Sequence, residues 1–272
     1  MEYTLLEKII MLFDGKMNTP RAFGIFHIAS MLLVIGVCAL AIRFRHKFTE
    51  KNVPYIILAV GIVMFILEIY KQLVISYDAT ADAWQYKWYI FPFQFCSTPI
   101  YITLLAFAAS RLKNKLIYNA LKAFLSTYAL IAGIVVFCVP GSVFCPVIGV
   151  NIQTMVHHGL MIILAVALLS SGTVVFEKKT LIGAFSVFIP LLVTAMILNF
   201  AHGNGSEFDM FYLAPDSTFV LAKLRELFWG FPPYPVYLIG YVILFTLGAS
   251  LVLYIGYKVK NREIIKKTDR VS

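Results

Sequence analysis

Seven stretches of about 20 apolar residues divide this chain, and the polar residues inside them crowd toward one end of each stretch. A run of that length crosses the roughly 30 Å hydrocarbon core of a bilayer. The spans read as Ala22–Phe44, Val53–Ile75, Ile90–Ser110, Ile117–Val139, Asn151–Phe176, Leu181–Ala201 and Tyr234–Tyr257. A polar group left in hydrocarbon costs several kcal/mol or so unless it finds a partner. His27, Glu68, Lys71, Cys96, His158 and Asn199 lie on five of these spans. If they share a depth, they share a cavity.

The expected fold is therefore all-α, a bundle of seven transmembrane helices. Hydrophobic residues make up 60% of the 272 and charged residues 14%, against about 25% charged in a soluble domain. The alternating pattern of a membrane β-barrel is absent. Three parts are expected: an interfacial segment over 1–21, the transmembrane domain over 22–257 and a basic tail over 258–272. The first part carries Glu2, Glu7, Lys8, Asp14, Lys16 and Arg21, the wrong pattern for a signal peptide. Leu5, Leu6, Ile9, Ile10 and Leu12 instead suggest a short amphipathic helix at the interface.

Basic residues set the orientation. Arg43, Arg45, Lys47 and Lys51 follow the first span. Arg111, Lys113 and Lys115 follow the third, and Lys178 and Lys179 the fifth. Lys258, Lys260, Arg262, Lys266, Lys267 and Arg270 follow the seventh. The positive-inside rule then puts the N-terminus outside and the C-terminus in the cytoplasm of a multi-pass cell-membrane protein. The net charge of +9 resides in these loops, so it answers to topology and anionic lipid, not to nucleic acid. Trp84, Trp88, Tyr89, Trp229, Tyr234 and Tyr237 read as an outer aromatic belt. The long outer segment from His202 to Pro233 reads as a lid or as a short interfacial helix around Ser217–Phe228.

With that orientation, His27, Glu68, Lys71, Gln94, Cys96, His158 and Asn199 all fall in the outer half. Glu68 and Lys71 are three residues apart and can pair on one helix face. They form either a structural ion pair or the wall of a cavity that grips a lipid headgroup. Cys96 follows Pro92 near a helix start, where unpaired N–H groups and the helix dipole favour a thiolate. His158 would be its general base. His157 points about 100° away from His158, so the two cannot face one cavity centre. Cys138 and Cys145 bracket an outer loop, where an exterior disulfide and two free thiols are equal alternatives. No HExxH or other ligand-spaced metal motif, P-loop, Rossmann fingerprint or GxSxG elbow is present, so no cofactor or metal is expected.

Phe26-His27, Glu68, Pro92 with Cys96, His158-Gly159-Leu160, Asn199-Phe200 with Gly203, and Pro232 to Tyr237 occur in this order. On these landmarks, over most of its length, the chain resembles the YwaF family of bacterial multispanning membrane proteins. Members often carry histidine two residues before the cysteine, where this chain has Gln94. That family is similar to a eukaryotic multispanning acyltransferase that moves fatty acyl chains between phospholipids through a cysteine acyl intermediate. It also resembles small multispan lipid hydrolases with an intramembrane nucleophile and a histidine. The resemblance implies Cys96 as nucleophile and His158 as base.

The expected function is thus a membrane-embedded lipid-modifying enzyme, a cysteine-dependent acyltransferase or acyl hydrolase near the outer leaflet. Membrane lipids are the expected partners. In this expectation His27, Glu68 and Lys71 position His158 or the headgroup, and Gln94 and Asn199 stabilise an oxyanion. The alternative is a small-solute binding or transport protein using the same outward-facing pocket.

Overall fold

A computed structural model describes residues 3–78, 81–202, 208–215 and 219–268. The described part is mostly helical. Among the described residues six helical stretches are long and apolar enough to cross a membrane, Lys115–Cys138 counted as one. The first is α2 (Ile25–Arg43) and the second α3 (Val53–Ser76); both follow a short α1 (Leu5–Phe13). The third stretch gives α4 (Thr98–Arg111), which has 14 residues and so rises only about 21 Å. Phe91 is extended, with ψ 131°, as the ring of Pro92 demands of the residue before it. Helix starts only at Thr98, with Pro99 in its first turn. The expected third span is therefore a turn-rich first half followed by a short helix.

The fourth stretch splits into α5 (Lys115–Ser126) and α6 (Tyr128–Cys138). Thr127 leaves the helical region at φ −122°, ψ −77°, while Ser126 and Thr127 hydroxyls donate to the carbonyls of Lys122 and Ala123. Then come α7 (Ile148–Ser171), α8 (Lys178–His202), α9 (Phe219–Leu227) and α10 (Tyr234–Thr268). The basic tail thus continues α10 as helix to Thr268. Its last four residues, and Gly203, Gly205 and Ser217 of the long outer segment, lie outside the described residues.

Helix α7 is the hub. It packs against α2, α3, α5 and α6. A Cβ on Gly159 would come within 2.7 Å of Val34 on α2, so glycine there permits the close approach. Gly61 of α3 likewise receives the Thr103 side chain of α4. Aromatic rings fill the centre: Tyr128 stacks on Phe188 at 4.5 Å, and Phe95 meets Phe245 at 4.8 Å and Phe211 at 5.1 Å.

The N-terminal segment is a helix with a capping box. Glu7 accepts from the Thr4 N–H, and Thr4 Oγ1 accepts from the Glu7 N–H. Ile10 buries against Val74, Tyr77 and Val150. The following residues strap onto the bundle: Met17 N–H donates to Pro146, and Ile148 N–H to Gly15. Beyond α3, β1 (Tyr77–Asp78) and β2 (Ala83–Trp84) form a small antiparallel hairpin.

Much of the long outer segment is an inserted plug. Met210, Phe211 and Leu213 are fully buried. Phe211 and Tyr212 take left-handed backbone conformations, which are costly for bulky residues and persist only when surroundings impose them. The imposing groups come from three elements, as described next. Helix α9 occupies nearly the position expected for an interfacial helix.

Candidate functional site

Cys96 lies in a turn, not on a helix. The Gln94 carbonyl accepts from Ser97 and Thr98 N–H groups at 2.8 and 3.1 Å, so the chain coils once before α4 begins. Phe95, Ser97 and Thr98 are buried, whereas Cys96 keeps part of its surface accessible. The cysteine therefore packs at the edge of the central aromatic core, two residues before a helix N-terminus.

His157 reaches across from α7, and its Nε2 lies 2.9 Å from the Cys96 carbonyl oxygen. A carbonyl only accepts, so Nε2 carries the proton and Nδ1 bears the lone pair. His158 Nδ1 lies 2.7 Å from the Thr154 carbonyl. By the same reasoning its Nε2 bears the lone pair. Both lone-pair nitrogens are buried without a hydrogen-bond partner. The two rings lie 5.3 Å apart and turn to different partners, as adjacent helical positions require. Sequence reasoning set His157 aside, yet it makes the direct contact to the cysteine's backbone. Gln153, Thr154, His157 and His158 are all buried. Polar residues on both sides of α7 were the available signal that this helix is enclosed.

Glu68 is held at both carboxylate oxygens. Its Oε2 pairs with Lys71 Nζ at 2.8 Å, and its Oε1 accepts from Gln72 Nε2 at 2.6 Å. Gln72 also donates to the Ile90 carbonyl, tying α3 to the turn before Cys96. His157 thus touches the Cys96 turn directly, whereas the Glu68–Lys71 pair joins that segment through Gln72 and Ile90.

The other expected residues sit elsewhere. His27 is fully buried among the rings of Phe23, Phe137 and Phe144, in an apolar cluster separate from the one that holds Cys96. Its Nδ1 accepts from the Phe23 N–H at 2.9 Å, so a neutral His27 is a donor at Nε2 and cannot be a base there. Gln94 and Asn199 hold the plug. Asn199 accepts from the Met210 N–H at 2.7 Å and donates to its carbonyl at 2.9 Å. Gln94 accepts from Phe211 N–H and donates to the Asp209 carbonyl. Tyr237 and Tyr234 hydroxyls donate to Tyr212 and Leu213 carbonyls. The two amides therefore shape the roof over the Cys96 turn. Cys138 and Cys145 are free thiols, and Asn151 holds the Cys145 backbone through both its N–H and its carbonyl. Burial raises the Cys145 thiol above its ordinary pKa. No cluster of His, Cys, Asp and Glu among the described residues could hold a metal ion.

A bundle of apolar helices with an internal polar cluster defines a multi-pass membrane protein. The TMEM164 family model matches residues 22–254, and the chain belongs to that family. No curated protein and no solved structure matches it.

Proposed function

We propose that this protein is a cysteine-dependent lipid acyltransferase or acyl hydrolase of the cell membrane. The chain crosses seven times, with its N-terminus outside and its C-terminus in the cytoplasm. The segment before α4 completes the third crossing inside the protein, where irregular backbone is tolerated. The resemblance to YwaF proteins and to a cysteine-dependent acyltransferase supports the chemistry. The observation that carries it is the hydrogen bond from His157 to the Cys96 carbonyl, with the Glu68–Lys71 pair alongside.

In this reading Cys96 Sγ attacks the carbonyl carbon of a lipid ester. The S–C bond forms, the ester C–O bond breaks, and the thiol proton passes through an imidazole to the departing alkoxide. The bases at hand are His158 Nε2 and His157 Nδ1. The thioester then yields its acyl group to a second lipid hydroxyl, or to water, and the thiol is restored. Lys71 attracts the headgroup.

The test is acyl exchange by purified protein in phospholipid vesicles, with lipid profiles of deletion cells rescued by wild type or Cys96→Ser. Loss of turnover in a folded Cys96→Ala protein is expected. Wild-type turnover from that variant would overturn thiol catalysis and favour a headgroup or solute site.

A further inference from the structure

Helices α3 and α4 clasp where Thr103 fills the notch at Gly61. Toward the outer end they part, because the chain before Thr98 is not helical. The gap is a slot of about 200 Å³ lined by Phe65, Glu68, Ile69, Leu73, Pro92 and Ile100, with Gln72 and Tyr101 completing its wall. Bonds fix its edges: Gln72 donates to the Ile90 carbonyl, and the Tyr101 hydroxyl to the Pro92 carbonyl.

Phe65 is 47% exposed and Ile69 44% exposed, and both sit on a helix long and apolar enough to cross the membrane. The slot therefore opens sideways onto hydrocarbon. Its lining is almost wholly carbon, to which Glu68, Gln72 and Tyr101 present carbon atoms; the Glu68 carboxylate is turned to Lys71 and Gln72. Pro92 and Ile100 lie four residues either side of Cys96. The slot is thus apolar along its length, walled on one side by residues that flank the Cys96 turn and on the other by the helix that carries the Glu68–Lys71 pair.

We propose that this slot is a lateral binding site for one acyl chain of a membrane phospholipid. The chain lies between Phe65, Ile69, Leu73 and Ile100, and Lys71 draws the anionic end inward. Lys71 Nζ has three N–H donors and uses one on Glu68, leaving donors for a phosphate or ester oxygen. The proposal rests on the lipid-enzyme reading for its purpose, not for its geometry.

The experiment uses the full chain carrying Cys96→Ala, which binds without turning over, in vesicles containing a phosphatidylcholine with a diazirine on one acyl chain. Photolabelling should concentrate on peptides spanning 65–73 and 92–101. Ile69→Trp fills the mouth from an exposed position that tolerates the larger ring, and should lower that labelling at least fivefold. Phe65→Ala, which widens it, should not lower it. Labelling of 65–73 and 92–101 no denser than that of lipid-facing α8 and α10, and indifferent to Ile69→Trp, would mean annular lipid only and overturn the slot. If the slot labels but wild-type protein transfers no acyl group, the slot stands and the enzyme reading falls. If Cys96-dependent turnover occurs without slot labelling, the reverse holds.

Discussion

The His157 imidazole donates to the backbone carbonyl of Cys96 at 2.9 Å, joining two residues 61 positions apart. That bond fixes the turn before α4 and leaves His157 Nδ1 with the lone pair, as the bond to the Thr154 carbonyl leaves His158 Nε2. The two histidines can be separated by substitution. His157→Ala should destabilise the protein by about 1–3 kcal/mol, because it strands a buried carbonyl. His157→Gln, which keeps an N–H donor, should recover most of that. His158→Gln should leave thermal stability near wild type yet slow reaction of Cys96 with a lipid-like thiol probe about 10²-fold or more, the scale of a lost general base. If His157→Gln slows the probe as much while stability holds, the base is His157.

The plug is clamped by two amides that grip neighbouring residues. Asn199 holds both backbone groups of Met210, and Gln94 holds Phe211 and Asp209. Asn199→Leu should cost about 1–3 kcal/mol through the unsatisfied buried backbone. Gln94→Leu should cost less, because Gln94 is less buried. Bonds to adjacent residues of one loop couple, so the double variant should depart from additivity by at least about 0.5 kcal/mol. Thermal unfolding in detergent measures all three. Strict additivity would mean that the plug does not act as a unit.

The sequence revealed α3 almost to the residue, because Val53 to Leu67 is an uninterrupted apolar run with Pro54 in its first turn, and only Glu68, Lys71 and Gln72 break it before Ser76. The third span, expected as helix from Ile90, is helical only from Thr98. Residues 90–97 are mostly apolar, and apolar content alone does not distinguish helix from buried irregular chain. Pro92 and Pro99 were the local signs of a late helix start. Depth along the spans is what singled out Glu68, Lys71 and Cys96. Which face each side chain takes depends on helix packing, and so His27 and Asn199 were grouped with a site they do not touch. Phe208 to Ala214 fell within a segment read as a lid or an interfacial helix, and its burial was not legible because it depends on clamps from a residue over a hundred positions away.

Lys122 was passed over because it lies inside an apolar stretch. Its side chain is 2% exposed, while its partner Glu50 is 64% exposed. Lys122 Nζ also donates to the Thr173 carbonyl and lies over the Tyr118 ring at 4.5 Å. The asymmetry predicts unequal costs. Glu50→Gln leaves a buried cation without its counter-charge, and should cost about 1–3 kcal/mol, less than the 3–5 of a wholly buried pair because Glu50 is solvated. Lys122→Met removes the charge and keeps the volume, and should cost less than Glu50→Gln. The double variant should match Lys122→Met alone. A larger loss from Lys122→Met would show that the Thr173 bond outweighs the charge.

The capping box of α1 predicts a pH response. Glu7 is held below its usual value of 4.5, first by the Thr4 backbone N–H, then by the Thr4 side chain, with Trp84 adding a smaller effect. A carboxylate with a depressed folded pKa contributes stability that is present above the unfolded value and lost as pH falls through the folded one. The docking of α1 should therefore hold at neutral pH and loosen only below about 4.5, reported by Trp84 fluorescence in a protein with Trp88 and Trp229 replaced by phenylalanine. Thr4→Ala should move the midpoint up toward 4.5, and Glu7→Gln should abolish the transition. A transition that survives Glu7→Gln unchanged would assign it to another acid, with Asp14 and Asp82 next to be tested.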